Sequence, residues 1–301
     1  MSDKPTVGVI GLGSMGWGTA RTLIDAGFEV WGNDVRDEAL VALEEHGGKS
    51  AGSPMDLARE VDIVIVMVVN SEQTESALFG AHGAVEALAP GALVIASSTV
   101  PARFARELSA RLAERDVLML DGPVSGGAAK AAKGELSLMA SGPRKAFEIA
   151  APVLDVIAER VYDLGEEPGA GSTMKTINQL LAGVHIAASA EAMALAIQAG
   201  LAPATVYEII SNSAGGSWMW QNRVPHILEG DYAPLSAVNI FVKDLGIVLE
   251  TGKEHTFPLP LTATAHQQFL AAAAAGLGGE DDSAVIKVFQ KLTNIDLPTG
   301  D

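Results

Sequence analysis

The stretch VGVIGLGSMG at residues 7–16 decides the fold of this chain, because it leads from a β-rich run through a glycine turn into a helical pattern. Gly11, Gly13 and Gly16 have the spacing G-x-G-x-x-G. Between a strand and a helix, such glycines permit a tight turn, the approach of a pyrophosphate and close packing of helix on strand. The stretch predicts a dinucleotide-binding turn, with an ordinary glycine turn as the alternative. The residues expected to contact the dinucleotide here are Gly11, Leu12, Gly13, Ser14, Met15 and Gly16.

Asn33 and Asp34 end the next β-rich run, residues 28–34, roughly 20 residues beyond the last glycine of the turn. A carboxylate at this position hydrogen-bonds the ribose 2′-hydroxyl and repels a 2′-phosphate, so Asp34 favours NAD. Arg36 is near enough in sequence to bind a 2′-phosphate, which keeps NADP as the alternative. A cap at the strand end is the structural alternative for Asp34.

Apolar runs alternate with helical patterns over the first half of the chain. The run DIVIVMVV at residues 62–69 is apolar on both faces, which is typical of a strand buried within a parallel sheet. Further strands are predicted at residues 93–97, 117–121 and 136–140. The alternation predicts an α/β domain with a doubly wound parallel sheet.

The pattern changes near Gly165. Residues 172–199 contain no proline and are rich in alanine, which predicts one helix of roughly 40 Å. Little strand signal follows, and further helices are predicted at residues 203–211, 239–253, 260–275 and 283–291. We therefore expect an α/β domain over residues 1–168 and an all-helical domain over residues 169–301.

The composition narrows the classes of partner. With 20 Lys and Arg against 37 Asp and Glu, the net charge is −17, which argues against binding to nucleic acid or to an anionic membrane. There is no cysteine, which excludes disulfides and thiolate chemistry, and the six histidines form no metal-binding pattern, so we expect no metal. The N-terminal stretch lacks the layout of a signal peptide, and the longest apolar run, residues 63–69, is too short to span a membrane. We therefore expect a cytoplasmic protein.

Six short stretches resemble, in the same order, signatures of the β-hydroxyacid dehydrogenase family, which includes 3-hydroxyisobutyrate and tartronate-semialdehyde dehydrogenases. They are GLGSMG (11–16), SSTV (97–100), DGPVSGG (121–127), GAGSTMK (169–175), KDL (243–245) and DDSAV (281–285). The resemblance implies a Rossmann domain, a helical second domain joined to it by a long interdomain helix, and a homodimer or homotetramer. It also implies reversible NAD(P)-dependent oxidation of a short hydroxy-carboxylate.

A finer resemblance, to the threonate-type subgroup of this family, is carried by residues 122–142, 179–196, 217–223 and 229–246. Most of the family has asparagine where this chain has Gln179, and the longer side chain argues against 3-hydroxyisobutyrate. The resemblance implies L-threonate as substrate and 2-oxo-tetronate as product. The alternatives are a tartronate-semialdehyde or 3-hydroxyisobutyrate enzyme, an imine reductase (such relatives usually lack a lysine at position 175), and a cofactor-binding module without catalysis.

Lys175 is the best candidate for the proton acceptor that hydride removal from an alcohol carbon requires. It lies near the start of the alanine-rich helix, where the positive end of the helix dipole and burial both lower the pKa of an amine. A solvated helix lysine is the alternative, and the resemblance of GAGSTMK favours catalysis. Gln179, one turn further along the same face, is predicted to bind a substrate hydroxyl, with Asn178 as a second candidate and a surface glutamine as the alternative.

Ser125, Gly126 and Gly127 are predicted to bind the substrate carboxylate. Two glycines leave backbone N–H groups available to an anion, and the serine adds a hydroxyl donor. A turn that serves only chain geometry is the alternative. The remaining residues expected at the cofactor are Asn33, Asp34, Val69, Asn70, Thr99 and Lys243.

Two of those cofactor residues are assigned through the resemblance. It implies that Thr99 contacts the nicotinamide, and an N-cap for a helix starting at Pro101 is the alternative. It implies that Lys243 closes on the cofactor or the substrate, and an ion pair with Asp244 is the alternative.

Trp218, Trp220 and Arg223 follow a pair of glycines. We expect the two tryptophans to lie in a loop, where they would form a lid that excludes water, and Arg223 to be able to bind a carboxylate. Packing between domains or between subunits is the alternative for all three.

Overall fold

A computed structural model describes residues 4–300 and places the strand before the glycine turn near the centre of a parallel sheet. The six strands of this sheet are β1 (Val7–Ile10), β2 (Val30–Asn33), β3 (Lys49–Ser50), β4 (Ile63–Val66), β5 (Leu93–Ala96) and β6 (Leu118–Asp121). Their order is β3-β2-β1-β4-β5-β6, so the direction of winding reverses between β1 and β4. In open α/β sheets, ligands bind beyond the carboxyl ends of the strands at such a reversal.

Both faces of this sheet are covered. In β4, Ile63 and Ile65 pack into one hydrophobic cluster while Val64 and Val66 pack into another, because successive side chains point to opposite faces. The helices of this part are α1 (Ser14–Asp25), α2 (Asp37–Glu45), α3 (Pro54–Ala58), α4 (Ser71–Phe79), α5 (Ala102–Ala113), α6 (Gly127–Ala131) and α7 (Arg144–Ile157). The predicted doubly wound α/β fold is confirmed.

A second, three-stranded sheet was not predicted. It consists of β7 (Val124–Ser125), β8 (Leu136–Ala140) and β9 (Ala158–Asp163), with β7 antiparallel and β9 parallel to β8. The prediction placed a strand correctly at residues 136–140 but made it one more strand of the alternating pattern. β7 follows β6 after only two residues, too few for the crossover that a parallel neighbour needs.

The helix α8 (Ala170–Gln198) is the longest element, with 29 residues. Contacts between Cα atoms divide the chain into two compact units, Met1–Lys175 and Thr176–Asp301, and the division falls within α8. By length and composition α8 could cross a membrane, since one 18-residue window has a mean hydropathy of 1.7. Of that window, 39% is buried within the protein. This is weak evidence, because the core helix of a soluble protein passes the same test.

The second unit has its own hydrophobic core, in which Phe241 and Phe269 stack with ring centroids 5.3 Å apart. After α8, its helices are α9 (Pro203–Ser211), α10 (Trp218–Glu229), α11 (Val238–Glu254), α12 (Pro260–Ala272) and α13 (Ile286–Thr293). α12 ends before the predicted Ala275, because the chain passes through a π-helical turn and then a positive φ of 86° at Gly276. α13 is preceded by a single 3-10 turn, Asp282–Val285.

Candidate active site

The glycine turn between β1 and α1 has the geometry that its spacing predicts. Gly11 has a φ of +91°, and a Cβ atom at Gly16 would lie 1.8 Å from the carbonyl oxygen of Gly11. A side chain at Gly16 would therefore separate the helix from the strand. At Gly13, by contrast, a Cβ atom would meet nothing within 4 Å.

This turn fits the pyrophosphate of a dinucleotide. Gly13 is the N-cap of α1 and makes no side-chain cap, so the first N–H groups of the helix are not consumed by a capping side chain. An anion approaching over Gly13 would meet those N–H groups and the positive end of the helix dipole. Gly13 and Ser14 are exposed, Met15 is half-buried and Leu12 is buried.

Asp34 follows β2 directly and is held by several donors. Its carboxylate accepts hydrogen bonds from the Leu12 amide at 2.7 Å, from the Arg36 amide at 3.0 Å and from Arg36 Nε at 2.9 Å. Burial acts to raise the pKa of Asp34, but the hydrogen bonds from Arg36 and Leu12 outweigh it and leave the pKa below its usual value. Asp34 is therefore an anion that ties the glycine turn to the end of β2.

Arg36 covers the carboxylate from the solvent side. Its Nη2 donates to Asp34 at 3.2 Å and to the Leu12 carbonyl at 3.1 Å, while 47% of its side chain is exposed. The neighbouring Asn33 side chain points elsewhere and donates to the carbonyl of Ala51 at 2.9 Å. Arg36, the basis of the NADP alternative, is thus paired with Asp34, the residue that favours NAD.

Val69, Asn70 and Thr99 follow the next two strands at the same edge of the sheet, because β4 and β5 run parallel to β1. Val69 is 48% exposed. Asn70 caps α4 by accepting from the Gln73 amide at 2.8 Å. Thr99 is not the cap of α5: that helix starts at Ala102 and has Pro101 in the cap position without a side-chain bond.

The three residues predicted to bind the substrate carboxylate lie at the start of the small sheet. Ser125 is the last residue of β7 and is half-buried, Gly126 has a φ of 138°, and Gly127 begins the short helix α6. Gly126 and Gly127 thus directly follow the end of a two-residue strand, Val124–Ser125.

Lys175 lies in the second turn of α8 and is 8% exposed. The alternative of a solvated helix lysine is therefore wrong. Lys175 thus lies inside the fold, as its expected role in proton transfer requires.

Gln179 belongs to a hydrogen-bond network within the second unit. Its Nε2 donates to Asp244 Oδ2 at 2.5 Å, and its Oε1 accepts from Asn178 Nδ2 at 2.9 Å. Lys243 Nζ donates to the other carboxylate oxygen of Asp244 at 2.5 Å. Gln179 and Asp244 are 8% and 2% exposed, so the alternative of a surface glutamine is wrong.

Asp244 is a member of this network that sequence reasoning treated only as a possible ion-pair partner of Lys243. That ion pair exists, but the same carboxylate also fixes which end of the Gln179 amide faces it. A signal was available: Phe241, Asp244, Leu245 and Val248 form the buried face of α11, and a carboxylate on such a face requires a partner.

The expected tryptophan loop is a helix. Ser217 caps α10 by accepting from the Trp220 amide at 3.0 Å, so Trp218 begins a helix and no loop lid forms. Trp220 is 2% exposed and stacks on Tyr207 with ring centroids 6.4 Å apart. Trp220 therefore packs within its own unit, which neither the lid nor its alternative had foreseen.

Arg223 is engaged by a buried carboxylate of its own unit. Its Nε and Nη2 donate to the two carboxylate oxygens of Asp282 at 2.6 and 3.1 Å, and the two side chains are 11% and 0% exposed. Burial raises the pKa of Asp282 to about 6, against the opposing effect of Arg223. Arg223 does meet a carboxylate, but it is that of Asp282 in its own unit and not that of a substrate.

Comparison with known proteins assigns both parts of the chain. The NAD binding domain of 6-phosphogluconate dehydrogenase matches residues 6–165. The NAD-binding domain of NADP-dependent 3-hydroxyisobutyrate dehydrogenase matches residues 169–289.

Individual relatives match over almost the full length. An L-threonate dehydrogenase of Cupriavidus necator is 58% identical over 97% of each chain, and one of Escherichia coli K12 is 51% identical over 95% of each chain. A crystal structure described as 3-hydroxyisobutyrate dehydrogenase from Salmonella typhimurium has a TM-score of 0.90 at 50% identity, covering 94% of this chain and 99% of its own.

Proposed function

Because this chain belongs to the NAD-binding hydroxyacid dehydrogenase family that includes 3-hydroxyisobutyrate dehydrogenase, we propose that it oxidises L-threonate to 2-oxo-tetronate with NAD. It is an NAD(P)-dependent oxidoreductase that acts on a hydroxyl group of a small hydroxy acid. The observation that carries the choice of substrate is the network around Gln179, a longer amide than most of the family has at this position. The names of the relatives at 51–58% identity support the same choice.

In the proposed reaction, the carbinol carbon loses a hydride and its hydroxyl loses a proton, which leaves a carbonyl group. The nicotinamide, when bound, supplies the acceptor for the hydride. Lys175 Nζ accepts the hydroxyl proton, and in the reverse direction the ammonium returns it. Ser125 and the N–H groups of Gly126 and Gly127 bind the carboxylate.

Gln179 and Asn178 recognise a further hydroxyl of the sugar acid. Asp244 and Asn178 occupy one donor and the acceptor of the Gln179 amide, and its second N–H remains to donate to the substrate. An acid without that hydroxyl would leave a buried donor unmatched, which costs binding energy.

On the cofactor side, we propose that the glycine turn binds the pyrophosphate and that Asp34 binds the adenosine ribose. The other residues proposed at the cofactor are Asn33, Val69, Asn70, Thr99 and Lys243. Asp34 is the basis for preferring NAD to NADP. To expose its oxygens to a ribose hydroxyl, the partly exposed Arg36 has to turn aside.

A spectrophotometric screen tests the substrate. Purified protein is assayed for reduction of NAD and of NADP with L-threonate, glycerate and 3-hydroxyisobutyrate. We expect kcat/KM for L-threonate with NAD to exceed the others by about tenfold or more. The Salmonella structure named for 3-hydroxyisobutyrate makes that acid the second candidate, and its preferential turnover would replace L-threonate.

A lysine variant tests the chemistry separately from the substrate. Lys175→Ala is expected to lower kcat by roughly 100-fold to 10,000-fold, the usual contribution of a general base, while NAD binding is retained. Lys145→Ala, which removes an exposed lysine from α7, is the matched control and should keep wild-type turnover. Turnover by Lys175→Ala within about threefold of wild type would exclude its role in proton transfer.

We also propose that the protein is a cytoplasmic homo-oligomer in which a second copy covers one side of α8. Apolar residues are spread around this helix with little preference for one side, and Ile177, Leu181 and Leu195 are 49%, 51% and 68% exposed. A helix that is apolar all round is normally buried on all sides. Leu195 also lines an apolar groove of about 790 Å³ between α8, α9 and α10. The net charge of −17 disfavours an anionic membrane as the covering partner, whereas a two-fold pair of identical chains brings like apolar surfaces together.

Measurement of molar mass in solution tests this oligomer. Leu195→Glu should lower the mass, because a charge would be buried in the contact. Leu292→Glu, at a leucine that is 73% exposed on α13, is the control. A monomeric wild type, an unchanged mass for Leu195→Glu, or binding of the wild type to lipid vesicles would contradict the proposal.

A further inference from the structure

Asp121, the last residue of β6, is a buried carboxylate with no part in the proposed function. It is 1% exposed. Its Oδ2 accepts from the amides of Gly169 and Ser172, both at 2.9 Å, and its Oδ1 accepts from Ser172 Oγ at 2.7 Å. A longer contact of 3.4 Å joins Ser141 Oγ to Oδ2. The carboxylate thus binds the N-terminal turn of α8, the helix that carries Lys175.

The same turn is wedged against two strand ends. The backbones of Asp121 and Ser141 exchange two hydrogen bonds of 2.9 Å, and Ser141 Oγ accepts from the Gly171 amide at 3.1 Å. A Cβ atom at Gly171 would lie 2.4 Å from the Met139 carbonyl oxygen and 2.5 Å from that of Asp121. The first turn of α8 therefore has little freedom to rotate or slide.

We propose that Asp121 is a positioning residue for the reaction: by binding the Gly169 and Ser172 amides and the Ser172 hydroxyl, it sets the rotation and height of the turn that aims Lys175. The inference rests on the proposed role of Lys175. Lys175 is three residues beyond Ser172, which is about 4.5 Å along the helix axis. No intervening loop separates the anchored turn from the amine.

The expected loss of rate follows from the distance between the axis of α8 and the tip of the lysine side chain. A side-chain tip lies about 6 Å from a helix axis, so a rotation of α8 by about 10° moves that tip by about 1 Å. A misplacement of about 1 Å at a reacting centre can lower the rate by about 100-fold.

The choice of an aspartate also argues for more than an ordinary helix cap. Burial raises the pKa of Asp121 against the hydrogen bonds that it accepts, so the position is costly for a carboxylate. A serine or threonine cap would satisfy one amide of the turn at a smaller cost. The carboxylate binds the Gly169 amide and both donors of Ser172 at once, which a single hydroxyl in a cap cannot do.

Three variants and one control test the proposal at 25 °C, where all are required to be folded. Asp121→Ala removes every acceptor, Asp121→Asn keeps the shape, and Ser172→Ala removes one bond. Leu108→Ala, on α5, destabilises the same unit through a hydrophobic cluster that contains no residue of α8. For each protein we would measure the melting temperature, the Kd for NAD, kcat and KM for L-threonate, and hydrogen exchange of residues 169–178.

For Asp121→Ala we expect kcat to fall by about 100-fold, with KM and the Kd for NAD within about threefold of wild type. Exchange over residues 169–178 should rise. Asp121→Asn should recover most of the loss, Ser172→Ala should fall between, and Leu108→Ala should melt earlier with kcat within about twofold of wild type. A structural role alone would lower the melting temperature and leave kcat unchanged.

Two results would overturn the inference. One is a kcat for Asp121→Ala within about threefold of wild type, and the other is a rise in the Kd for NAD that matches the fall in kcat. If Asp121→Ala does not fold, the Asp121→Asn and Ser172→Ala comparison decides. If the wild type does not oxidise L-threonate, the proposed substrate fails, and the rate at which an amine reagent modifies Lys175 decides instead. That rate must change in Asp121→Ala or Ser172→Ala and not in Leu108→Ala.

Discussion

Asp282 shows at the scale of one residue how burial competes with an ion pair. It faces Arg223 with 0% of its side chain exposed, and burial still raises its pKa from 3.8 to about 6. Between those two values, the folded protein holds a proton that the unfolded chain has released. The free energy of unfolding therefore falls as the pH rises through this window, and Asp282 causes no further change above it.

Asp282→Asn tests this linkage. A shift from 3.8 to about 6 corresponds to a loss of about 3 kcal/mol in the free energy of unfolding between pH 4 and pH 6. The variant should lack that part of the slope in urea unfolding measured from pH 4 to pH 8. It should also be less stable than wild type above pH 6, because Arg223 is left buried without its anionic partner. Parallel pH profiles for wild type and variant would contradict the prediction.

Gln179 is the second residue whose effect can be isolated. Gln179→Asn shortens the amide by one methylene and breaks its reach to either Asp244 or the substrate hydroxyl. We expect kcat/KM for L-threonate to fall by about tenfold to 100-fold, and that for 3-hydroxyisobutyrate to fall less or to rise. Gln198→Asn, at the exposed end of α8, is the control. An equal loss for both acids would show that Gln179 does not select between them.

At the scale of an element, the β1–α1 turn contains one glycine that folding requires and another that the binding of a dinucleotide would require. A methyl group at Gly16 would lie 1.8 Å from the Gly11 carbonyl oxygen, whereas at Gly13, with a φ of −63°, it would enter open space. The two glycines of one turn therefore have different reasons for lacking a side chain.

A pair of alanine variants tests this separation. Gly16→Ala should destabilise the first unit strongly, because helix and strand cannot both keep their places. Gly13→Ala should leave the melting temperature within about 2 °C of wild type while weakening NAD binding by about tenfold or more, because the methyl group occupies the path of the pyrophosphate. Calorimetry and NAD titration measure both. Loss of stability in Gly13→Ala, or wild-type NAD affinity, would count against the assignment.

The long helix α8 illustrates which element bounds a sequence predicts well. The absence of proline and the abundance of alanine predicted a helix over residues 172–199, and the structure has Ala170–Gln198. The small sheet was missed because β7 has only two residues and β9 is almost wholly exposed, so neither shows an apolar pattern. Short or exposed strands exist through their partners, which local periodicity does not reveal.

At the scale of the whole molecule, we propose residues 1–168 and 169–301 as the two domains. The gap between the two family matches, which end at 165 and resume at 169, supports this boundary. Contacts between Cα atoms place the division slightly later, after Lys175, because the first turn of α8 is bound to Asp121.

Limited proteolysis tests the boundary. Glu166 and Glu167 are exposed and lie between β9 and α8, outside regular structure. A glutamate-specific protease should cut there first and give two large fragments, because exposed irregular segments are the preferred sites of cleavage. Replacing both residues with glutamine should slow the first cut. A first cut within α7 or α11 would contradict the boundary.

The sequence by itself determined the parts that depend on local order. The glycine spacing, the acidic residue at the end of the second strand, the doubly wound pattern and the position of Lys175 in a helix are all visible within short windows. The reason is physical: turn geometry, strand burial and helix periodicity act between near neighbours in the chain.

Only the tertiary structure decided which distant groups meet. Asp121 binds Gly169 and Ser172 from 48 and 51 residues away, and Gln179 meets Asp244 across 65 residues. It also made Asp282 the partner of Arg223, whose carboxylate partner the sequence had left open. Burial makes each of these polar groups depend on a partner, and the fold, not the local sequence, supplies that partner.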